Sequence, residues 1–278
     1  LVEAAIGAGK PVVTANKALL AVHGAAIAEM AEAQGVPLAF EAAVAGGIPA
    51  IKAIREGLAA NRILRLAGIL NGTCNYILTT MREQKREFAE VLAEAQRLGY
   101  AEADPAFDID GIDSAHKLAI LAALAFGRPV DFAAVHVEGI REVTAIDIAM
   151  AEELGYRIKL LGIAKREEGG ISTRVHPCMV PVSAPIARVD GVFNAVVAEG
   201  DFVGRVVLEG RGRPHRQRRG GGPDRPGARP GDAGLGCGER CPGQRRRGAH
   251  GPACGRLLPA ADGRGSARGH RRCHRGAA

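Results

Sequence analysis

The chain has 278 residues, 47% of them hydrophobic, with no Trp and only 4% aromatic residues, so aliphatic side chains and alanine must build its core. The formal net charge of +7 is unevenly spread: residues 1–210 hold 20 Lys and Arg against 26 Asp and Glu, and residues 211–278 hold 17 Arg, no Lys and four acids. No apolar run nears the roughly 20 residues of a membrane span, and LVEAAIGAGK reads as a helix entered midway, so neither a membrane segment nor a signal peptide is expected.

In chain order, Lys10-Pro11 leads into VVTA, a β-branched run that predicts a short buried strand. Residues 18–34 place alanines and larger apolar residues at helical spacing and close on Gly35, and VPLAF (36–40) predicts a second strand. Strand, helix, strand is the order of a parallel βαβ unit. AVAGGIPA then turns into a helix through about residue 57, and RILRLAGIL (62–70) predicts a strand ending at Asn71-Gly72-Thr73. Asn or Thr there can cap a helix from Cys74 to about Arg82. FAEVLAEAQRL (88–98) puts Phe88, Val91, Leu92, Ala95 and Leu98 on one helical face. An acidic stretch, 102–114, precedes a helix over 114–126, and another helix is expected over 144–154. Strands follow: YRIKLLGIAKR, GISTRVHPCMV, GVFNAVVAEG and DFVGRVVLEG.

The segment DIDGIDSAHK (108–117) sits directly before the apolar run LAILAALAF. Asp113 and Lys117 are four apart and share a helical face, and carboxylates at a helix start are favoured by its dipole. A capped helix with a surface ion pair accounts for that much. The acids, however, extend back through Glu102, Asp104 and Asp108, and the helix beyond Lys117 is apolar on nearly every face. A lysine at the mouth of an internal helix, facing carboxylates, can bind an amino acid and move a proton.

The tail, 211–278, holds 17 Gly and seven Pro and has three Leu as its only large apolar residues, too few to offset the entropy of ordering. An Arg-rich nucleic-acid arm lacks the aromatic residues that stack bases. A metal site from Cys237, Cys241, Cys254 and Cys273 has spacings that match neither a zinc ribbon nor a finger. A GC-rich gene read out of frame accounts for the Arg, Gly, Pro, Ala and Cys excess, so the tail is expected to be disordered and dispensable, with no nucleic-acid partner. The remaining cysteines, Cys74 and Cys178, suggest no disulfide framework, which fits a reducing cytoplasm.

Four blocks carry a resemblance. GKPVVTANKALLA (9–21), FEAAVAGGIPAI (40–51), GILNGTCNYILTTM (68–81) and YAEADPAFDIDGIDSAHKLAILA (100–122) resemble, in order and spacing, segments of homoserine dehydrogenases. The similarity covers about residues 1–210. It implies NAD- or NADP-dependent interconversion of homoserine and aspartate 4-semialdehyde in threonine and methionine biosynthesis, by a homodimer. The fold expected is an α/β remnant of a Rossmann-type nucleotide domain (1–40), then an α+β substrate-binding, catalytic and dimerisation domain with a mixed sheet (41–210).

The resemblance also implies site roles. Lys117 matches the family's catalytic lysine and Lys17 its other active-site lysine, with Asn16 and Lys17 near the cofactor. Glu102 matches the carboxylate that holds the substrate ammonium, and Asp108 and Asp113 the acids that complete the pocket. A monovalent cation, Na+, is implied between Glu41 and the carbonyls of Val44, Gly46 and Ile48; hard cations take such oxygen ligands. Residues 1–210 contain no G-x-G-x-x-G turn, and only EGRG (209–212) resembles the family's return to its nucleotide domain. The chain is therefore expected to keep the substrate and catalytic residues, to lack most of the cofactor site, and not to bind NAD(P) tightly. The alternatives are a catalytically incompetent substrate-binding, dimerising fragment or an Arg-rich nucleic-acid binder.

Overall fold

The computed structural model describes residues 1–211, and the expectations for 212–278 lie outside them. The chain opens with α1 (Val2–Gly7), β1 (Val12–Val13), α2 (Lys17–Ala33) and β2 (Leu38–Ala39). The two strands pair in parallel, Val12 with Leu38 and Val13 with Ala39, so this segment is the expected βαβ unit. Asn16 caps α2 by accepting from Leu19 N at 3.1 Å. Ile6, Val12, Ile27 and Ala31 form its small core.

A short helix, α3 (Ala50–Lys52), runs on as a wider π turn over Ala53–Gly57 where one continuous helix was expected. There follow β3 (Ile63–Ile69), α4 (Gly72–Gln84), α5 (Phe88–Arg97), α6 (Ala106–Ile109), α7 (Ile112–Phe126), β4 (His136–Val137) and α8 (Ala145–Glu153). The chain then runs through β5 (Tyr156–Glu167), β6 (Gly170–Pro181), β7 (Phe193–Gly200) and β8 (Gly204–Arg211).

Strands β3 to β8 make one sheet in the order β4-β6-β5-β3-β7-β8, antiparallel except where β4 runs parallel to β6. The expected mixed sheet is therefore present. Alternation along the strands divides its two faces: Leu160 and Val196 join the large core with α4 and α7, and their neighbours Leu161 and Val197 join a second cluster with Ile186 and Val189. Helix α7, with ten buried residues, packs against β3, β5 and β6. Its internal position accounts for its lack of a polar face.

One packing detail bears on the site. Gly68 of β3 and Gly162 of β5 are cross-strand partners. A Cβ added to either would stand 2.8 or 2.9 Å from the Leu70 side chain, so the pair leaves room to seat Leu70 at the end of β3.

Candidate active site

The end of β3, the start of α7 and the start of α2 converge on a cavity of about 310 Å³, lined by Lys17, Asn71, Asp108, Asp113 and Lys117 among others. Asp113, 3% exposed, is its hub. Its Oδ2 accepts from Lys117 Nζ at 2.6 Å and from Asn71 Nδ2 at 2.9 Å, while its Oδ1 lies 3.0 Å from Lys17 Nζ. The pair spaced i, i+4 on α7 is thus buried rather than a surface ion pair. Lys117 Nζ also donates to the carbonyl of Leu70 at 2.6 Å, the residue seated by the glycine pair.

Asp108, at the end of α6, joins through Asn71, whose Nδ2 donates to Asp108 Oδ1 at 2.8 Å. Burial and the neighbouring Asp113 carboxylate push the Asp108 carboxyl above its ordinary value, partly offset by the Asn71 hydrogen bond. Burial would push Asp113 the same way, but the charges of Lys117 and Lys17, with hydrogen bonds from Lys117 and Asn71, hold it below the ordinary value. Both lysines pair with Asp113, and Asp108, without an ion pair among the described residues, is held by the Asn71 amide.

Lys17 begins α2 just beyond the C-terminal end of β1, where open parallel sheets bind ligands. Its ammonium stands 5.5 Å from the centroid of the Phe107 ring. Asn16 turns its side chain to the cap of α2 rather than to the cavity, whose lining passes from Ala15 to Lys17.

Glu102 is exposed on the loop after α5 and is not part of the cavity wall. Its backbone carbonyl accepts from Gln96 Nε2 at 3.0 Å. Glu41 uses both carboxylate oxygens to cap α3, accepting from Ile51 N at 3.0 Å and Lys52 N at 2.9 Å. Among the described residues, the carbonyls of Val44 and Gly46 accept no backbone hydrogen bond, whereas that of Ile48 takes Ala50 N at 2.7 Å. The intervening Ala45 holds a left-handed backbone (φ 48°), unusual for a residue with a Cβ, in a loop that lines the cavity.

The sequence marks Asn71 only as a helix cap, and no local pattern points to its contacts with both aspartates. Thr73, whose hydroxyl donates to Tyr100 O at 2.8 Å, also lines the cavity with Tyr100 and Arg211. Their only sequence signal is that they fall within or beside the resembling blocks.

The homoserine dehydrogenase profile matches residues 49–217. A homoserine dehydrogenase of Pseudomonas aeruginosa is 60% identical over 212 residues, which is 76% of this chain and 49% of that protein. The crystal structure of a homoserine dehydrogenase from Thiobacillus denitrificans superposes with a TM-score of 0.76 at 60% identity, over 76% of this chain and 49% of that one. A hyperthermophilic archaeal homoserine dehydrogenase in complex with NADPH is similar at 32% identity and a TM-score of 0.67, over 76% of this chain and 61% of that one. The chain spans about half the length of the curated relatives it matches.

Proposed function

The chain belongs to the homoserine dehydrogenase family, and from that premise we propose that it carries the substrate and proton-transfer side of an NAD(P)-dependent interconversion of homoserine and aspartate 4-semialdehyde. One observation carries the reading: Lys117 Nζ reaches the cavity wall while held by two acceptors, the Leu70 carbonyl and Asp113 Oδ2. As the ammonium paired with Asp113, Lys117 spends two of its three hydrogens on those acceptors; the third position is left for the cavity, and once its proton has left, the lone pair there takes the substrate hydroxyl proton. In the reverse direction the same nitrogen returns the proton to the aldehyde oxygen.

Lys17, anchored on Asp113 Oδ1, supplies positive charge toward the oxygen on which negative charge develops. Asp108 and Asp113 offer carboxylates to the substrate ammonium. Glu102, to which the resemblance gives the ammonium, stands exposed outside the cavity wall, so the two aspartates carry that role in this reading. A nicotinamide dinucleotide, when bound, supplies hydride acceptance or donation. Residues 14–17, at the C-terminal end of β1 and the N-terminus of α2, suit its reacting end. The archaeal relative's NADPH complex supports that cofactor class. The carbonyls of Val44 and Gly46, which accept no backbone hydrogen bond among the described residues, suit a monovalent cation such as Na+ together with Glu41.

A homodimer would cover apolar side chains left exposed on the sheet face away from α4 and α7, Phe193 of β7 and Val207 of β8. No helix of the described residues is long and apolar enough to cross a membrane. Cys74 and Cys178 are free thiols, which fits the cytoplasm.

The test is homoserine-dependent reduction of NADP+ and NAD+, by this chain and by a chain in which the flanking segments of the Pseudomonas relative are joined to it. Activity in the joined chain alone makes this segment a substrate-binding half. No activity in either refutes the reading.

A further inference from the structure

We propose that Asn71 is a positioning residue, one carboxamide that ties the two cavity aspartates to the N-terminus of α4 and so aims Asp113 at both lysines. The proposal rests on the dehydrogenase reading for its catalytic meaning, but its geometry stands alone.

Asn71 is 5% exposed and all three of its side-chain hydrogen bonds are spent. Its Oδ1 accepts from Cys74 N at 2.8 Å, the N-cap bond of α4. That bond fixes which end of the amide points outward, because a flipped amide would set its oxygen against two carboxylates. The two Nδ2 hydrogens then go to Asp108 Oδ1 at 2.8 Å and Asp113 Oδ2 at 2.9 Å. The Cys74 thiol adds a second tie from α4, donating to the Asp108 carbonyl at 3.2 Å.

The consequence for Asp113 is orientational. With Oδ2 held by Asn71 and Lys117, Oδ1 is left to face Lys17. Without the amide donor, the carboxylate can rotate and serve one lysine at the expense of the other. The consequence for Asp108 is electrostatic. The ionisable groups facing it are Asp113 and Lys117 of α7, Lys17 of α2 and Cys74 of α4. Both lysines are hydrogen-bonded or ion-paired to Asp113, and among the described residues Asn71 alone donates to the Asp108 side chain. The amide therefore lets two adjacent carboxylates stay ionised in a buried site.

Two substitutions separate this role from the cap. Ser and Asp both cap helices well. Asn71→Ser keeps the cap and removes the donors, because its hydroxyl is too short to reach the aspartates. Asn71→Asp keeps the cap and turns an acceptor on the two carboxylates. The readout is a carbon-13 NMR titration of the aspartate carboxyls in this chain, with Asp108 assigned by Asp108→Asn, alongside thermal unfolding.

The expected result is a folded protein in Asn71→Ser with a thermal midpoint modestly lowered at neutral pH, and a larger loss in Asn71→Asp, because a carboxyl whose folded value rises costs stability wherever it is ionised. The Asp108 midpoint should rise by about one pH unit in Asn71→Ser and by more in Asn71→Asp. An Asp108 midpoint that does not move makes Asn71 a helix cap and nothing more, and overturns the proposal. Failure of Asn71→Ser to fold also counts against it, because that variant keeps the cap and the loss expected from one raised carboxyl is small.

In the joined chain, Asn71→Ser should lower kcat about tenfold. An active joined chain in which kcat falls less than twofold overturns the catalytic meaning alone. A joined chain without dehydrogenase activity sinks the dehydrogenase reading and leaves the titration result standing.

Discussion

Lys17 and Lys117, from α2 and α7, share one carboxylate: Lys17 Nζ lies 3.0 Å from Asp113 Oδ1 and Lys117 Nζ 2.6 Å from Asp113 Oδ2. The βαβ segment and the large sheet's helix layer thereby meet at a single buried charge. Neither lysine is independent of the other, since moving Asp113 toward one weakens its hold on the second.

Lys117→Ala removes the proposed proton acceptor and leaves Asp113 with Lys17 and Asn71. Turnover with saturating homoserine should fall by about 100-fold or more in the joined chain, the scale of a lost general base. Steady-state kinetics decide the matter, and near-normal turnover would take Lys117 out of proton transfer.

Glu41→Ala should have two effects. Loss of the cap on α3 should cost about 1 kcal/mol, read as a lower thermal midpoint. In the unsubstituted chain, exchanging choline chloride for NaCl at equal ionic strength should raise that midpoint, because a ligand of the folded state stabilises it. The variant should show no such response. Equal midpoints in the two salts before substitution would remove Na+ from the site.

Asp190 gives the fold an acid limit. Burial acts to raise its carboxyl, but hydrogen bonds from Arg82 and Lys159 lower it to about 2. Its folded value is depressed, so its stabilisation is fully present above the unfolded value of about 4 and is lost as pH falls toward about 2. Asp190→Asn should flatten the fall in thermal midpoint across that window. It should also lower stability at pH 7 by about 3 kcal/mol, since Lys159, 1% exposed, loses its charged partner. An unchanged slope of midpoint against pH would show that other carboxylates govern acid unfolding.

Gly139→Ala should strike the site from outside it. A Cβ at Gly139 would overlap the Ile109 carbonyl oxygen and lie 2.5 Å from Asp110 Cα, just after Asp108. The next residue anchors the same turn, Ile140 N donating to Ile109 O at 2.8 Å. Overpacking of this kind costs about 1–3 kcal/mol, and the displaced turn should raise KM for homoserine. Chemical denaturation and kinetics measure the two effects, and a variant with wild-type values in both would show that the backbone yields freely.

The local elements were readable in the chain because burial alternates with a period of two in strands and near 3.6 in helices, and the apolar residues follow both. The Asp113–Lys117 pair was readable for the same reason, being one helical turn apart. Only the tertiary structure decided what lies between elements. The two-residue β4 pairs with β6 through non-local hydrogen bonds that leave no period in so short a stretch. Four-residue α6 lay hidden in an acidic, Pro-containing stretch with too few turns to repeat a pattern. Asn71 looked like a cap and is one, but its two donors find Asp108 and Asp113 only because α4, α6 and α7 pack together. Glu102 and Asp108 looked equivalent as loop acids, yet one is exposed and the other lines the cavity. A side chain's identity states what it can bond to, whereas its partner and its burial are set by contacts between residues far apart in the chain, which a linear pattern does not encode.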